Sequence, residues 1–263
     1  MPSPRILLLF TKPARPGKVK TRLVGNGPEA LSAEQAALLH QAFLDDLSER
    51  LAPAVAAGEL ALRLAWVLEE GDEVPAVPSP LAGLAGVHGV RQEGEDLGGR
   101  LFGALADAAA SGASVAVVGS DHPTLPVEWV REAFRRLEAG ADVALGPAED
   151  GGYYLMALAP RAVHRRLFED VAWSTGTVFA ETLARCRELG LEVALLPRGM
   201  DVDEPADLAR LAGRLAAGDG PECPRTRALL AAWGRLPEPV ADQEPAAPDA
   251  DVVAEPVAAG EAR

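Results

Sequence analysis

Short apolar runs alternate with longer segments of helical periodicity along the first 236 residues, and this alternation constrains the fold more than any other feature of the chain. Residues 5–11 and 114–119 read as buried strands, and the second of them, Ser114-Val115-Ala116-Val117-Val118-Gly119, is the clearest central strand. Further strands are expected over 60–68, 87–92, 142–145, 152–158 and 192–196. Helices are expected over 32–51, where Ser32-Ala33-Glu34-Gln35 fits a capping box, and over 96–110, 127–138, 174–190 and 205–215. Strands separated by helices give an α/β fold: three layers, α/β/α, with a mostly parallel sheet. There is no internal repeat.

Composition sets the outer bounds. With 263 residues, 48% of them hydrophobic, the chain can build one substantial core, which excludes a disordered or fibrous protein. The net charge of −14 argues against a nucleic-acid partner, since phosphate backbones are held by net positive surface. Residues 237–263 change character, with five prolines and seven acids against one base, and read as a disordered tail. Residues 1–236, taken as a single nucleotide-binding domain, then carry only −8. Two cysteines are too few for a disulfide scaffold or a cysteine-only zinc site. The apolar run at residues 6–10 is shorter than a signal-peptide core, and no stretch approaches the roughly 20 apolar residues of a membrane span. A soluble, cytoplasmic protein is expected.

Against this acidic background, residues 12–23 hold five cations and no acid. The segment follows a strand at its C-terminal end, the edge outside which open α/β sheets bind ligands. Arg offers phosphate a bidentate fork and Lys a point charge, so Lys12, Arg15, Gly17, Lys18, Lys20 and Arg22 are candidate contacts to a nucleotide's di- or triphosphate. A solvated basic loop is the plainer alternative. The segment is not a Walker A loop, because Gly-x-x-x-x-Gly-Lys-Ser/Thr is absent.

Four other segments carry carboxylates at predicted strand ends. Asp121, in Gly119-Ser120-Asp121-His122-Pro123, can reach a Mg²⁺ or Mn²⁺ that bridges phosphate oxygens, or it can cap the next helix, as can Thr124. His122 reads as a packing or hydrogen-bonding residue, since no second His stands at metal spacing. Asp150, before Gly151 and Gly152, can orient a substrate hydroxyl or a metal-bound water; a hairpin turn explains the same residues. Asp201 and Asp203 project to one face of an extended segment, which suits a second metal contact, while Asp203 or Glu204 also suits the cap of a helix entered at Pro205. Finally, Glu95-Asp96-Leu97-Gly98-Gly99-Arg100 can bring a backbone amide or Arg100 to a nucleotide, and Asp96 equally fits a helix N-cap. No Gly-x-Ser-x-Gly elbow and no Rossmann Gly-x-Gly-x-x-Gly occurs.

Taken in order, the basic loop (10–23), Asp96-Leu97-Gly98-Gly99-Arg100, Gly119-Ser120-Asp121-His122-Pro123, the Asp150-Gly151-Gly152-Tyr153-Tyr154 segment, Val171-Ala172-Trp173-Ser174-Thr175 and residues 201–208 resemble a bacterial family of glycosyltransferase-A type. This family was formerly of unknown function, and its members are named arsenosugar-biosynthesis or radical-SAM-associated glycosyltransferases. The resemblance covers about residues 5–215. It implies a nucleotide-diphospho-sugar transferase fold with a nucleotide and a divalent ion, Mg²⁺ or Mn²⁺, at the sheet's C-terminal edge, Asp121 and Asp203 being the metal-site candidates. It also implies substrate contacts at Gly151, Gly152, Tyr153, Trp173 and Ser174. Asp-His-Pro stands where glycosyltransferases commonly carry Asp-x-Asp. A more distant similarity is to phospholactate guanylyltransferase and molybdenum-cofactor nucleotidyltransferases.

The expected activity is glycosyl transfer from a nucleoside-diphospho-sugar to a small-molecule acceptor, with Asp121, Asp150 and Asp203 as catalytic candidates. Nucleotidyl transfer from a nucleoside triphosphate to a phosphorylated small molecule is the alternative, and five cations in one loop suit a triphosphate. An inert nucleotide-binding protein is the third reading.

Overall fold

The computed structural model describes residues 3–27 and 29–237. The acidic tail expected over 237–263 therefore lies, beyond Pro237, outside the described residues. The strands are β1 (Arg5–Thr11), β2 (Ala61–Trp66), β3 (Val87–Arg91), β4 (Ser114–Gly119), β5 (Val143–Pro147), β6 (Tyr153–Leu158) and β7 (Val193–Leu195). The helices are α1 (Ala33–Ala56), α2 (Leu97–Ala109), α3 (Val127–Glu138), α4 (Val178–Glu188), α5 (Pro205–Ala217) and α6 (Pro224–Ala232).

The strands form one sheet in the order β3-β2-β1-β4-β6-β5-β7. All neighbours run parallel except β6, which is antiparallel to both β4 and β5. The exception has a simple cause: residues 148–152 are too short for the crossover a parallel pair needs, so β5 and β6 close as a hairpin. The Asp150 turn is thus the hairpin connection itself.

Side-chain alternation along the strands divides the core. Leu7 and Leu9 of β1 pack with Leu44, Leu47 and Leu51 of α1 and Phe134 of α3 on one face. Ile6 and Leu8 pack with Leu101 and Leu105 of α2 and Cys186 of α4 on the other. A third cluster joins the N-terminal half of α1 to α5 and α6 through Leu39, Phe43, Val202, Leu211 and Leu230. The result is the α/β/α arrangement expected.

Three local expectations change. The helix expected over 174–190 begins at Val178, because Ser174 has φ +63° and residues 172–177 form a turn tied to α4 through Glu181. The helix expected to stop near residue 51 runs on through Pro53 to Ala56. The helix α6 was not foreseen. Its first turn is capped from another element: Asp46 of α1 accepts from the N–H groups of Arg225 (3.0 Å) and Thr226 (2.9 Å) and from the Thr226 hydroxyl (2.7 Å). Ser32 does close its capping box with Gln35. Among the described residues no helix is long and apolar enough to cross a membrane.

Candidate active site

The C-terminal ends of β1, β2 and β4 open into a cleft of about 740 Å³. It is lined by Lys12, Lys18, Lys20 and Arg22 of the loop after β1 and by Arg100 of α2. The carboxylates of Asp121 after β4, Asp150 in the hairpin, and Asp201 and Asp203 before α5 line it too. Gly152, Tyr153, Trp173 and Ser174 line it as well.

Four sequence candidates do not line the cleft. Arg15 forms a two-pronged ion pair with Asp72, at 2.8 and 2.9 Å, and Gly17 turns the loop with φ +74°. Asp96 caps α2, its Oδ1 accepting from the Gly99 N–H at 2.7 Å. Gly151 serves the fold: at φ +87°, an added Cβ would lie 2.1 Å from the Gly176 oxygen, so its missing side chain lets the hairpin and the 172–177 turn touch. That contact brings Trp173 and Ser174 to the cleft wall. Lys18 lines the cleft, but its ammonium is shared with Glu69 at 2.8 Å.

The centre of the site is Lys20. Its Nζ lies 2.5 Å from Asp121 Oδ1, 2.6 Å from the Val202 carbonyl oxygen and 3.2 Å from Asp203 Oδ1, and the side chain is 3% exposed. The Phe43 ring lies beneath it, 5.5 Å away. Sequence reasoning placed Lys20 with the phosphate contacts and the two aspartates with a metal; the fold brings these groups onto one another. Neither Asp121 nor Asp203 is a helix cap. The helix α3 starts behind Pro126, and α5 is capped by Glu204, Asp207 Oδ2 accepting from the Asp203 and Glu204 N–H groups. A backbone bond from the Val202 N–H to the Asp121 oxygen, 2.9 Å long, fixes the two acidic segments side by side.

The electrostatics follow from this packing. Burial disfavours the Lys20 ammonium, but attraction to Asp121 and Asp203 outweighs it and holds the group above the usual lysine range. Removal from water also opposes ionisation of Asp121, and Lys20 and His40 outweigh it, so this carboxylate sits below its ordinary range. Asp201 goes the other way. Burial, reinforced by Asp121 and Asp203, pushes it up to about 7, where a carboxyl can exchange a proton near neutrality.

Thr11, His40 and Gln92 are cleft residues absent from the sequence candidates. His40 lies on α1, its Nε2 within 3.2 Å of Thr11 Oγ1 and 3.0 Å of the Lys12 oxygen, and burial lowers its basicity. Helical periodicity marks it only as a core position, so no sequence signal singles it out. Asp201 and Asp203, expected to share one face, both line the cleft. His122 packs edge-on against Tyr154 and Trp129, with ring centroids 5.0 and 6.0 Å away, and burial pushes it down to about 3, in keeping with a packing role.

The donors suit a hard cation. Two carboxylates and the Val202 oxygen converge on the Lys20 ammonium, and Mg²⁺ sites are commonly built from one or two carboxylates completed by water and phosphate. Among the described residues, no three His, Cys, Asp or Glu side chains converge as a ligand set.

A family model described as an uncharacterized protein conserved in bacteria (DUF2064) matches residues 54–175. No curated protein matches the chain. A cytidylyltransferase from Leptospira borgpetersenii serovar Hardjo-bovis (strain JB197) is similar over 90% of this chain and 97% of that one, at 10% identity and a TM-score of 0.48. CMP:2-keto-3-deoxy-manno-octonic acid synthetase complexed with CTP is similar over 80% and 97%, at 13% identity and a TM-score of 0.45. The crystal structure of a provisionally named nucleotide-diphospho-sugar transferase from Desulfovibrio desulfuricans G20 is similar over 89% of this chain and 96% of that one, at 32% identity and a TM-score of 0.73. At that identity and coverage, this chain belongs to the family of the Desulfovibrio protein and shares its fold.

Proposed function

We propose that the protein transfers a sugar from a nucleoside-diphospho-sugar to a small-molecule acceptor. The observation that carries this reading is the gathering of cations and carboxylates in one cleft at the C-terminal edge of the sheet. The name of the Desulfovibrio relative and the resemblance to arsenosugar-biosynthesis glycosyltransferases point the same way.

The distribution of ion pairs favours a diphosphate over a triphosphate. Arg15 is paired with Asp72, Lys18 with Glu69 and Lys20 with Asp121 and Asp203. Among the described residues, the cleft cations that form no ion pair are Lys12, Arg22 and Arg100. A sugar nucleotide's diphosphate carries fewer charges than a triphosphate and asks for fewer cations. Arg22 and Arg100 would hold its oxygens with charge-assisted hydrogen bonds, and Lys12 would add a point charge.

Asp121, Asp203 and the Val202 oxygen would hold a divalent cation, whose contribution is to neutralise charge on the departing diphosphate. Asp150 or Asp203 would orient the acceptor hydroxyl.

Thermal shift against nucleoside triphosphates and sugar nucleotides, each with and without Mg²⁺ or Mn²⁺, tests the reading, because a ligand of the native state raises Tm. The expected result is a larger shift with a sugar nucleotide, followed by sugar release or transfer on incubation. A larger shift with a triphosphate would overturn it in favour of nucleotidyl transfer.

A further inference from the structure

Lys20 is turned onto the acidic segments of the cleft, its ammonium buried among their oxygens. Its ammonium has an oxygen partner for each of its three protons: Asp121 Oδ1, Asp203 Oδ1 and the Val202 carbonyl. Its side chain is buried with the ammonium 5.5 Å from the Phe43 ring, and its backbone adopts φ +48°, a left-handed conformation uncommon for a non-glycine residue. The loop is thus held so that its third lysine closes on the acidic segments of the cleft. Lys12 and Arg22 form no ion pair among the described residues and remain available to a ligand. The other charged or titratable groups facing the ammonium are Asp201, on the same acidic segment, and His40 on α1.

We infer that Lys20 is the resident counter-ion of this oxygen set and excludes a divalent cation until an anionic ligand draws the ammonium away. Lysine and a doubly charged ion cannot occupy one point, and each would repel the other strongly at that separation. Phosphate oxygens arriving beside Lys12 and Arg22 offer Lys20 an alternative anion and leave Asp121 and Asp203 uncompensated, ready to accept the cation. Ligand and metal then bind with positive coupling, and by thermodynamic reciprocity each raises the affinity of the other by the same factor. The inference rests on the proposed diphosphate cleft for what draws the lysine away. The exclusion itself does not.

The test uses Mn²⁺ alone, followed by electron paramagnetic resonance of the free ion, with no nucleotide present. Failure therefore bears on the exclusion and not on the proposed transferase activity. Wild-type protein, Lys20→Met and the double variant Lys20→Met/Asp121→Asn are titrated after circular dichroism confirms their folds. The expected result is that Lys20→Met binds Mn²⁺ at least tenfold more tightly than wild type and that Asp121→Asn removes the gain. Equal affinity in wild type and Lys20→Met, or a gain that survives Asp121→Asn, overturns the inference. Should Lys20→Met fail to fold, the wild-type arm decides. Micromolar Mn²⁺ binding that Asp121→Asn abolishes overturns the inference, and binding no tighter than millimolar supports it.

Discussion

Lys20 and Val202 meet across the C-terminal edge of the sheet: the lysine ammonium donates to the Val202 carbonyl oxygen at 2.6 Å, while the Val202 N–H donates to the Asp121 oxygen at 2.9 Å. Both bonds involve the backbone of a residue whose apolar side chain is fully buried, so the alignment of Lys20, Asp121 and Asp203 is anchored in the core. A surface ion pair would contribute little to stability and hold its geometry poorly.

Arg22 lines the cleft and forms no ion pair among the described residues, so its removal should be felt by the ligand and hardly by the fold. Arg22→Ala is expected to weaken binding of a nucleoside diphosphate by about tenfold, the loss of one charge-assisted contact of about 1.4 kcal/mol. Calorimetric titration measures this, and an unchanged melting temperature shows that the fold is intact.

Gly151 and Gly213 should respond oppositely to alanine. At Gly151 the new Cβ meets the Gly176 oxygen and the backbone is left-handed, so Gly151→Ala is expected to cost about 2 kcal/mol or more and to displace the turn carrying Trp173. Gly213 lies inside α5 with nothing within 4 Å of an added Cβ, so Gly213→Ala should stabilise by about 0.5–1 kcal/mol. Urea melts of the two variants check both signs.

Asp46 is fully buried and serves the first turn of α6, where two N–H groups and a hydroxyl depend on it. Asp46→Ala leaves those donors without a partner and is expected to destabilise by about 2–4 kcal/mol. Hydrogen exchange should show protection lost first in residues 224–232. Retained protection there would contradict the capping role.

Both cysteines are free and buried. Burial pushes the Cys186 thiol up to about 11 and raises Cys223 as well. At pH 8 the thiolate fraction of Cys186 is on the order of a thousandth, so an aromatic disulfide reagent should react with neither thiol in the native protein and with both after denaturation. The sign of the linkage is fixed. A folded thiol titrating near 11 instead of 9.0 keeps a proton that the unfolded chain releases, so its contribution to stability is present below pH 9 and fades as pH rises toward 11. Alkaline urea melts of wild type and Cys186→Ala measure that difference.

The α/β class was legible in the sequence because burial on both faces makes strands such as Ile6-Leu7-Leu8-Leu9 and Val115-Ala116-Val117-Val118 continuously apolar, a purely local signature. The same is true of the Ser32 capping box and of the Asp96 cap, each a contact within three residues. The basic loop, Asp121, Asp150 and Asp203 were likewise visible, since strand ends in such a sheet point to one edge.

Other features depended on partners far along the chain. The helix α6 was missed because its cap, Asp46, lies on α1, and His40 because a buried helical histidine has no local mark. The sequence by itself determined which charges stand at the sheet's edge. Only the tertiary structure decided how they pair: Arg15 with Asp72, Lys18 with Glu69, and Lys20 with the two aspartates read as metal ligands. Electrostatic pairing is set by distances of a few ångströms between segments that composition and spacing leave independent, and those distances exist only once the chain has packed.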